Sequence, residues 1–364
     1  MKIAVVGGGQ LGRMMGLAGI PLGIDFVFCD PAANACAGAA GPVHVGPLDD
    51  PASVAAIADG ADAITYEWEG VPASTLEPFV HSHFVAPSLR ALATSQDRVA
   101  EKQLANELGL GTAPGLAVDN RAGLTPALER VGTPAVLKTR SGGYDGKGQH
   151  RILSIDDGDA AWTALGPAGS LVLEGFVAFD RELSVIACRG RDGATVVWPI
   201  TENHHEHGIL RESRVLDDAR TQARATAIVT TLLDELDYVG TLCIELFEVA
   251  GELLVNEFAP RVHNSGHWSI DGAETSQFEN HVRAMLGWPL GRTDPLGAVA
   301  MLNCIGALPE PSAALAIGGA HLHDYGKSPR LGRKVGHLTL VAPDENTLQE
   351  RLVAAREVIA ATAR

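Results

Sequence analysis

The chain is short of positive charge. Of its 364 residues, Lys and Arg supply 28 against 44 Asp and Glu, a formal net charge of −16. Binding DNA or RNA runs on neutralising phosphates with many cations, so no nucleic-acid partner is expected. Cysteine is scarce too: Cys29, Cys36, Cys188, Cys243 and Cys304 are scattered, odd in number and form no C-x-x-C. That argues against a disulfide framework and against a structural zinc site, and points to a reducing cytoplasm. No apolar run reaches the roughly 18–20 residues that span a bilayer; stretches 14–24 and 295–309 are short and broken by Gly or Pro. No membrane partner is therefore expected. The opening Met1-Lys2 and the apolar 3–6 imitate a signal peptide, but they run into Gly7-Gly8-Gly9, which reads as strand and turn. Internal repeats and low-complexity linkers are absent as well.

What is there fits a globular chain: 46% of residues are apolar and 20% charged. The length suggests two or three domains. An acidic protein that binds phosphate must do so locally, with glycine loops, helix N-termini and a few placed cations. The 41 glycines make loops the first place to search.

Residues 1–95 alternate strand and helix signals. Strands are expected at 3–6, 25–29 and 63–66, with helices at Gln10–Gly19 and 51–58, a rhythm that predicts a parallel sheet with ligands at its strand C-termini. Gly7-Gly8-Gly9-Gln10-Leu11-Gly12 satisfies G-x-G-x-x-G between strand and helix, and Asp30 follows 18 positions later. That is the dinucleotide fingerprint, but alone it is a weak signal. A tight turn in a Rossmann-like domain that binds something else, or nothing, is the favoured account.

Residues 95–108 read as a charged helix with Asp97 in its N-terminal turn. A strand at 135–139 then leads through Lys138 into Ser141-Gly142-Gly143-Tyr144-Asp145-Gly146-Lys147-Gly148. Such a loop can fold over a triphosphate and present backbone N–H groups, with Lys138 holding phosphate oxygens from the strand side. It is not a Walker loop; the bland alternative is a hairpin with a mobile tip. Strands are expected at 171–174, 182–188 and 194–199, and a long helix at 219–236.

Residues 242–247 and 252–258 look like an antiparallel pair turning at Ala250-Gly251. Glu245 and Glu257 each sit in an otherwise apolar strand, where an unpaired charge is costly. Paired on one face, with Asn256 as a neutral neighbour, they suit Mg²⁺ held jointly with ATP phosphates; two edge glutamates facing water are the alternative. Arg261 follows within reach of an oxyanion beside the metal. His263 and His267 are acid/base candidates or hydrogen-bonding loop histidines. A helix at 277–286, short strands after 295, a basic loop at 327–334 and a closing helix near 345–361 complete the chain.

Together these residues resemble the ATP-grasp superfamily: Lys102, Lys138, the glycine loop, Glu174-Gly175-Phe176-Val177, Glu182, Glu245 and Asn256-Glu257 stand in that family's order. Within it, the chain is similar to the 5-(carboxyamino)imidazole ribonucleotide synthase family of purine biosynthesis. The further marks are Gly7-Gly8-Gly9-Gln10-Leu11-Gly12-Arg13-Met14, Gln96-Asp97-Arg98, Gly146-Lys147-Gly148-Gln149, Phe179-Asp180-Arg181-Glu182, His263-Asn264-Ser265-Gly266-His267, Ser276-Gln277-Phe278-Glu279 and Gly332-Arg333-Lys334-Val335-Gly336-His337. One departure is Val262, where members usually carry Pro; it leaves Arg261 and His263 in register.

The resemblance implies an α/β and α+β chain. Residues 1–95 would form a Rossmann-like domain, 96–295 an ATP-grasp domain with a small lid at about 114–180, and 296–364 a small β-rich C-terminal domain. It implies an ATP-dependent carbon–nitrogen ligase that joins bicarbonate to the exocyclic amine of 5-aminoimidazole ribonucleotide through carboxyphosphate, in a homodimer. ATP and Mg²⁺ are implied, NAD and biotin are not. Arg98, Lys138, Tyr144, Asp145, Gly146, Gln149, Glu174, Phe176, Val177, Glu182, His205 and Asn256 would meet the nucleotide, with Glu174 and the Phe176-Val177 backbone at adenine and Glu182 at the ribose. Glu245 and Glu257 would hold the metal. Gln10, Leu11, Glu67, Lys327, Arg333 and Lys334 would meet the phosphorylated substrate, and Arg261, His263 and Lys327 would serve the chemistry. His204 and His207 look like local additions in a polar loop.

The alternatives are another ATP-grasp carboxylate–amine ligase acting on a phosphorylated purine precursor, an NAD-dependent dehydrogenase, which explains residues 7–30 alone, and a catalytically dead nucleotide-binding regulator, which would have lost a metal acid.

Overall fold

A computed structural model describes residues 1–143 and 146–363. Tyr144 and Asp145, two of the expected nucleotide contacts, lie outside the described residues.

Three sheets organise the described residues. The first is wholly parallel, in the order β3-β2-β1-β4, built from β1 (Lys2–Val6), β2 (Asp25–Asp30), β3 (Val43–Val45) and β4 (Ala63–Tyr66). The near-continuous apolar runs of β1 and β4 follow from burial on both faces. On one face Ile3, Val5 and Phe28 pack against Met14 and Met15 of the helix Gln10–Gly19. On the other Ala4, Val6 and Ile64 meet Val54 and Ile57 of the helix Pro51–Ala58. β3 went unread in the sequence because its three residues carry no pattern.

The second sheet is small and antiparallel, in the order β5-β8-β6-β7, from β5 (Gly115–Val118), β6 (Ala135–Thr139), β7 (Gln149–Ile152) and β8 (Leu171–Gly175). The helices Arg121–Val131 and Gly158–Leu165 bury Leu124, Leu128 and Ala161 against Leu137, Ile152 and Leu173. The glycine loop joins β6 to β7.

The third sheet has nine strands. Its main path runs β14-β13-β9-β11-β12-β15-β17-β16, with β10 beside β9. The strands are β9 (Arg181–Arg189), β10 (Thr195–Val197), β11 (Thr201–Glu206), β12 (Ile209–Val215), β13 (Gly240–Val249), β14 (Glu252–Ala259), β15 (Ala298–Ile305), β16 (Ala320–Asp324) and β17 (Lys334–Ala342). The β12–β15 pairing carries the sheet without a break into the C-terminal segment. The helix Ala219–Glu235 covers one face through Ala225, Val229 and Leu232. The helix Gln277–Leu286 is buried almost all round, because Phe278, Val282 and Met285 also pack against Met14 of the first domain.

The histidine stretch read as a polar loop is the β11–β12 hairpin, turning at His207 and Gly208, both at positive φ. Its sequence shows no apolar alternation because its inward face is polar and satisfied. Buried Asn203 donates to Ser184 Oγ at 2.6 Å and accepts from Ser213 Oγ at 2.7 Å.

Candidate active site

The Gln96-Asp97-Arg98 run is the hub of the cleft. Asp97 caps the helix Arg98–Glu107, accepting from Val99 N at 2.9 Å and Ala100 N at 3.4 Å. From that helix, residues one turn apart reach both walls. Arg98 donates to Thr139 O and Gly143 O of the small sheet at 3.4 and 3.3 Å, and stands 3.7 Å from Glu257 of the large one. Buried Lys102 lies 3.4 Å from Glu174 on β8 and 3.4 Å from the Asn256 carbonyl on β14. Glu101, fully enclosed, accepts from Phe258 N at 2.6 Å; burial and then the Glu257 charge push its carboxyl up to about 8.

Lys138 stands one residue before the end of β6 and donates to Glu174 at 2.8 Å. Burial alone would raise the Glu174 carboxyl, but Lys138 and Lys102 override it and hold it below the usual carboxylate range. The Glu174 side chain is thus engaged with two lysines. Phe176 and Val177 follow in the connector from β8 to β9; Phe176 N donates to Pro134 O at 3.0 Å, and its ring lies under the Arg151 guanidinium. Gln149 pairs with Lys138 across β6–β7. Gly146, at φ +73, brings the glycine loop against the β11–β12 turn: a side chain there would meet Gly208 and the His207 carbonyl at 3.0 Å. The loop therefore reaches across the cleft to the large sheet.

On the large sheet Glu245 and Glu257 are direct cross-strand partners. The register then shifts from Glu257 to Val255, so Asn256 is the extra residue of a β-bulge, which releases it from strict alternation. Burial, and next the Glu257 charge, push the Glu245 carboxyl up to about 7. Two carboxylates forced together in this way are a donor set that suits a hard divalent cation. Glu182 accepts from His205 Nδ1 at 2.7 Å. Burial would lower His205, but the Glu182 bond and the Glu245 field together raise it.

Arg261 is ion-paired with Glu69, a partner that sequence reasoning missed. His263 follows, its Nε2 3.6 Å from Glu245. Ser265 N donates to its Nδ1 at 3.3 Å and the Ser265 hydroxyl lies at 2.8 Å, so the network assigns the ring proton to Nε2. Burial, with the Arg261 and Lys334 charges, holds His263 neutral, well below the usual histidine range.

The first glycine turn differs from its expected use. Glu67, at the end of β4, accepts from Gly9 N at 2.7 Å and Gly12 N at 2.8 Å. Asp30 accepts from Gly8 N at 2.9 Å. The N–H groups that hold pyrophosphate in a dinucleotide site are taken by the chain's own carboxylates. Burial pushes the Glu67 carboxyl up, partly offset by those two N–H groups and by Lys327. Leu11 turns its side chain into the core, while Gln10 accepts from Lys327. The C-terminal basic loop thus reaches the N-terminal turn. Arg333 donates to Ser328, and the Lys334 charge is felt at Glu245 and His263.

The three segments match known families in order. Residues 1–96 match the ribonucleotide synthetase preATP-grasp domain, 103–278 the ATP-grasp domain, and 299–351 the phosphoribosylaminoimidazole carboxylase C-terminal domain. The N5-carboxyaminoimidazole ribonucleotide synthase of Pseudomonas aeruginosa is 47% identical over 361 residues, covering 99% of this chain and all of that one. The crystal structure of N5-carboxyaminoimidazole ribonucleotide synthetase from Thermus thermophilus superposes with a TM-score of 0.93 at 46% identity, over 98% of each chain. That of the Aspergillus clavatus enzyme with ADP and 5-aminoimidazole ribonucleotide has a TM-score of 0.88 at 29% identity, over 98% of this chain and 99% of that one. Matching such relatives from end to end, with the same three modules in order, this chain belongs to the N5-carboxyaminoimidazole ribonucleotide synthase family.

Proposed function

We propose that the chain uses ATP and bicarbonate to carboxylate the exocyclic amine of 5-aminoimidazole ribonucleotide, releasing ADP and phosphate. The observation that carries this reading is the opposed pair Glu245 and Glu257 facing Arg98 and Lys138 across one cleft, in a chain with end-to-end relatives of that name.

ATP lies between the small and large sheets. The small sheet acts as the lid, and the 141–149 loop closes against the β11–β12 turn. Arg98 and Lys138 hold phosphate oxygens. Bound ATP exchanges the Lys138 contact to Glu174 for a phosphate, and Lys102 keeps the buried carboxylate paired meanwhile. The Phe176-Val177 backbone meets adenine, and Glu182, with His205, meets the ribose. Glu245 and Glu257 would hold Mg²⁺, which would supply charge neutralisation for the transferring phosphoryl group. Bicarbonate attacks the γ-phosphorus and forms carboxyphosphate. That species is short-lived in water, so loop closure excludes solvent while the amine captures the carboxyl carbon.

Arg261, locked by Glu69, presents a fixed cation to the oxyanion. His263 serves as an orienting donor, because its Nδ1 is committed to Ser265 and its Nε2 carries the proton. Lys327, Arg333 and Lys334 clamp the substrate 5′-phosphate from the C-terminal loop. Gln10 positions Lys327 there, and Glu67 stiffens the turn beneath.

ADP release measured with each substrate omitted in turn tests the reading. The expected result is turnover only with ATP, bicarbonate and the aminoimidazole ribonucleotide together. Turnover that depends on a different amine or acid overturns it.

A further inference from the structure

On the edge of the large sheet four polar side chains converge. His323 on β16 and His337 on β17 are direct cross-strand partners, their rings 4.3 Å apart and nearly parallel at 7°. Asp271, on the short helix Ser269–Gly272, closes over them and lies 2.7 Å from His323 Nε2. One donor atom each from Asp271, His323 and His337 falls within 4.8 Å of the others. His321, two residues along β16 and so on the same face, places its Nδ1 3.6 Å from Asp271.

The independent observation is at His337. Its ring is completely buried, and its Nε2 has no hydrogen-bond partner among the described residues. Its Nδ1 lies 2.8 Å from the hydroxyl of buried Tyr325. With the Nδ1 proton donated to Tyr325, Nε2 presents a bare lone pair, the arrangement that fixes metal-ligating histidines. A simple His323–Asp271 ion pair explains two of the residues and leaves that buried nitrogen unsatisfied.

We infer that Asp271, His323 and His337 form a second metal site, distinct from the Glu245/Glu257 pair, that takes a transition cation of the Zn²⁺ class. Two imidazole nitrogens and one carboxylate oxygen suit such an ion, whereas Mg²⁺ prefers an oxygen octahedron. Ligand distances of about 2.0–2.2 Å require the His323 ring to turn out of its stack. It has room to do so at 28% exposure, while His337 stays fixed by Tyr325. Binding displaces the proton now shared by His323 and Asp271 and pins the edge strand β16 to the Ser269–Gly272 helix. The cysteine pattern argues against structural zinc; donors from three separate segments supply a set that such a pattern does not contain.

Cobalt(II) is the probe. The full chain, stripped with a chelator and kept in excess Mg²⁺ to fill the acid pair, is titrated and read by visible absorption. The expected result is about one equivalent bound with four-coordinate cobalt bands. Asp271→Asn and His323→Gln should each weaken that binding at least about tenfold. Zn²⁺ should raise the melting temperature of the unmodified chain and not of His323→Gln. Absence of the bands overturns the site. So does a spectrum unchanged in His323→Gln, which would move the ion to the His204/His205 hairpin. Circular dichroism checks folding; should Asp271→Asn not fold, the partly exposed His323→Gln decides alone.

Discussion

Asp97 accepts two hydrogen bonds of 2.7 Å from the Arg140 guanidinium, at the junction between the Arg98 helix and the small sheet. Arg98 N also donates to Arg140 O at 3.0 Å, so the strand that ends in Lys138 and Thr139 is fastened to the helix that carries Arg98. Asp97 has two tasks, latch and helix cap, whereas Arg140 serves the latch and stands 4.0 Å from Asp119. Arg140→Ala is expected to cost up to about 1 kcal/mol, as for a partly exposed bidentate pair. Asp97→Ala should cost about 1 kcal/mol more through the lost cap. Urea melts of both variants test the order; equal losses would remove the cap from the account.

Glu174 is the shared counter-ion of two lysines. Glu174→Gln leaves Lys102 buried without its charge partner, and breaking a buried pair from one side costs about 3–5 kcal/mol. The expected outcome is a clear fall in melting temperature and a raised KM for ATP. Lys102→Met should be milder, because Lys138 still pairs with Glu174. The reverse order would show that Lys102 is not buried against Glu174 in solution.

Glu245 and Glu257 repel each other across the β13–β14 ladder. Glu257→Gln is expected to lower kcat by at least about a hundredfold. The metal-free fold should be no less stable than the parent, because a like-charge contact is relieved. Near-parental turnover would take Glu257 out of the metal site.

The first glycine turn has no room for a side chain. A Cβ on Gly9 would stand 2.4 Å from Glu67 Oε1. Gly9→Ala must therefore displace the carboxylate that holds the helix N-terminus, at about 1–3 kcal/mol. A weakened hold on the ribonucleotide should accompany it, with KM for that substrate rising more than KM for ATP. A variant with unchanged stability and unchanged KM would mean that the Glu67 contact is dispensable.

Acid should destabilise the fold through its buried imidazoles. His281 receives Thr241 N at 3.1 Å, and burial depresses it from 6.5 to about 4. His263, His267 and His337 are also held well below the usual histidine range, first of all by burial. A depressed histidine is neutral in the folded chain and takes up its proton readily only on unfolding. Its contribution is therefore present above pH 6.5 and lost as pH falls from there toward about 4. His281→Gln should flatten that slope by up to about 1.4 kcal/mol per pH unit, measured as unfolding free energy across the window. An unaltered slope would mean that His281 is charged in the fold.

Much of this was legible in order and spacing. Lys138 before a glycine loop, the two acids in apolar strands and the βαβ opening are local patterns, because strand alternation, burial of carboxylates and glycine freedom act over a few residues. What stayed hidden depends on partners far away in sequence. Glu101 looks like a solvated helix acid until Phe258 N and Glu257 close over it. The β11 strand looks like a loop because its inward face is satisfied by hydroxyls from Ser184 and Ser213 rather than by apolar contact.

By itself the sequence determined the module order, the glycine loop and the acid pair, and hence the family of chemistry. Tertiary structure alone decided how the charges are spent. Glu67, expected at substrate, holds the Gly9 and Gly12 amides, and Arg261 is locked to Glu69. Glu174 serves two lysines, and three distant segments bring Asp271, His323 and His337 together. The physical reason is that burial makes each charge or lone pair demand a partner, and only the folded chain says which partner is within reach.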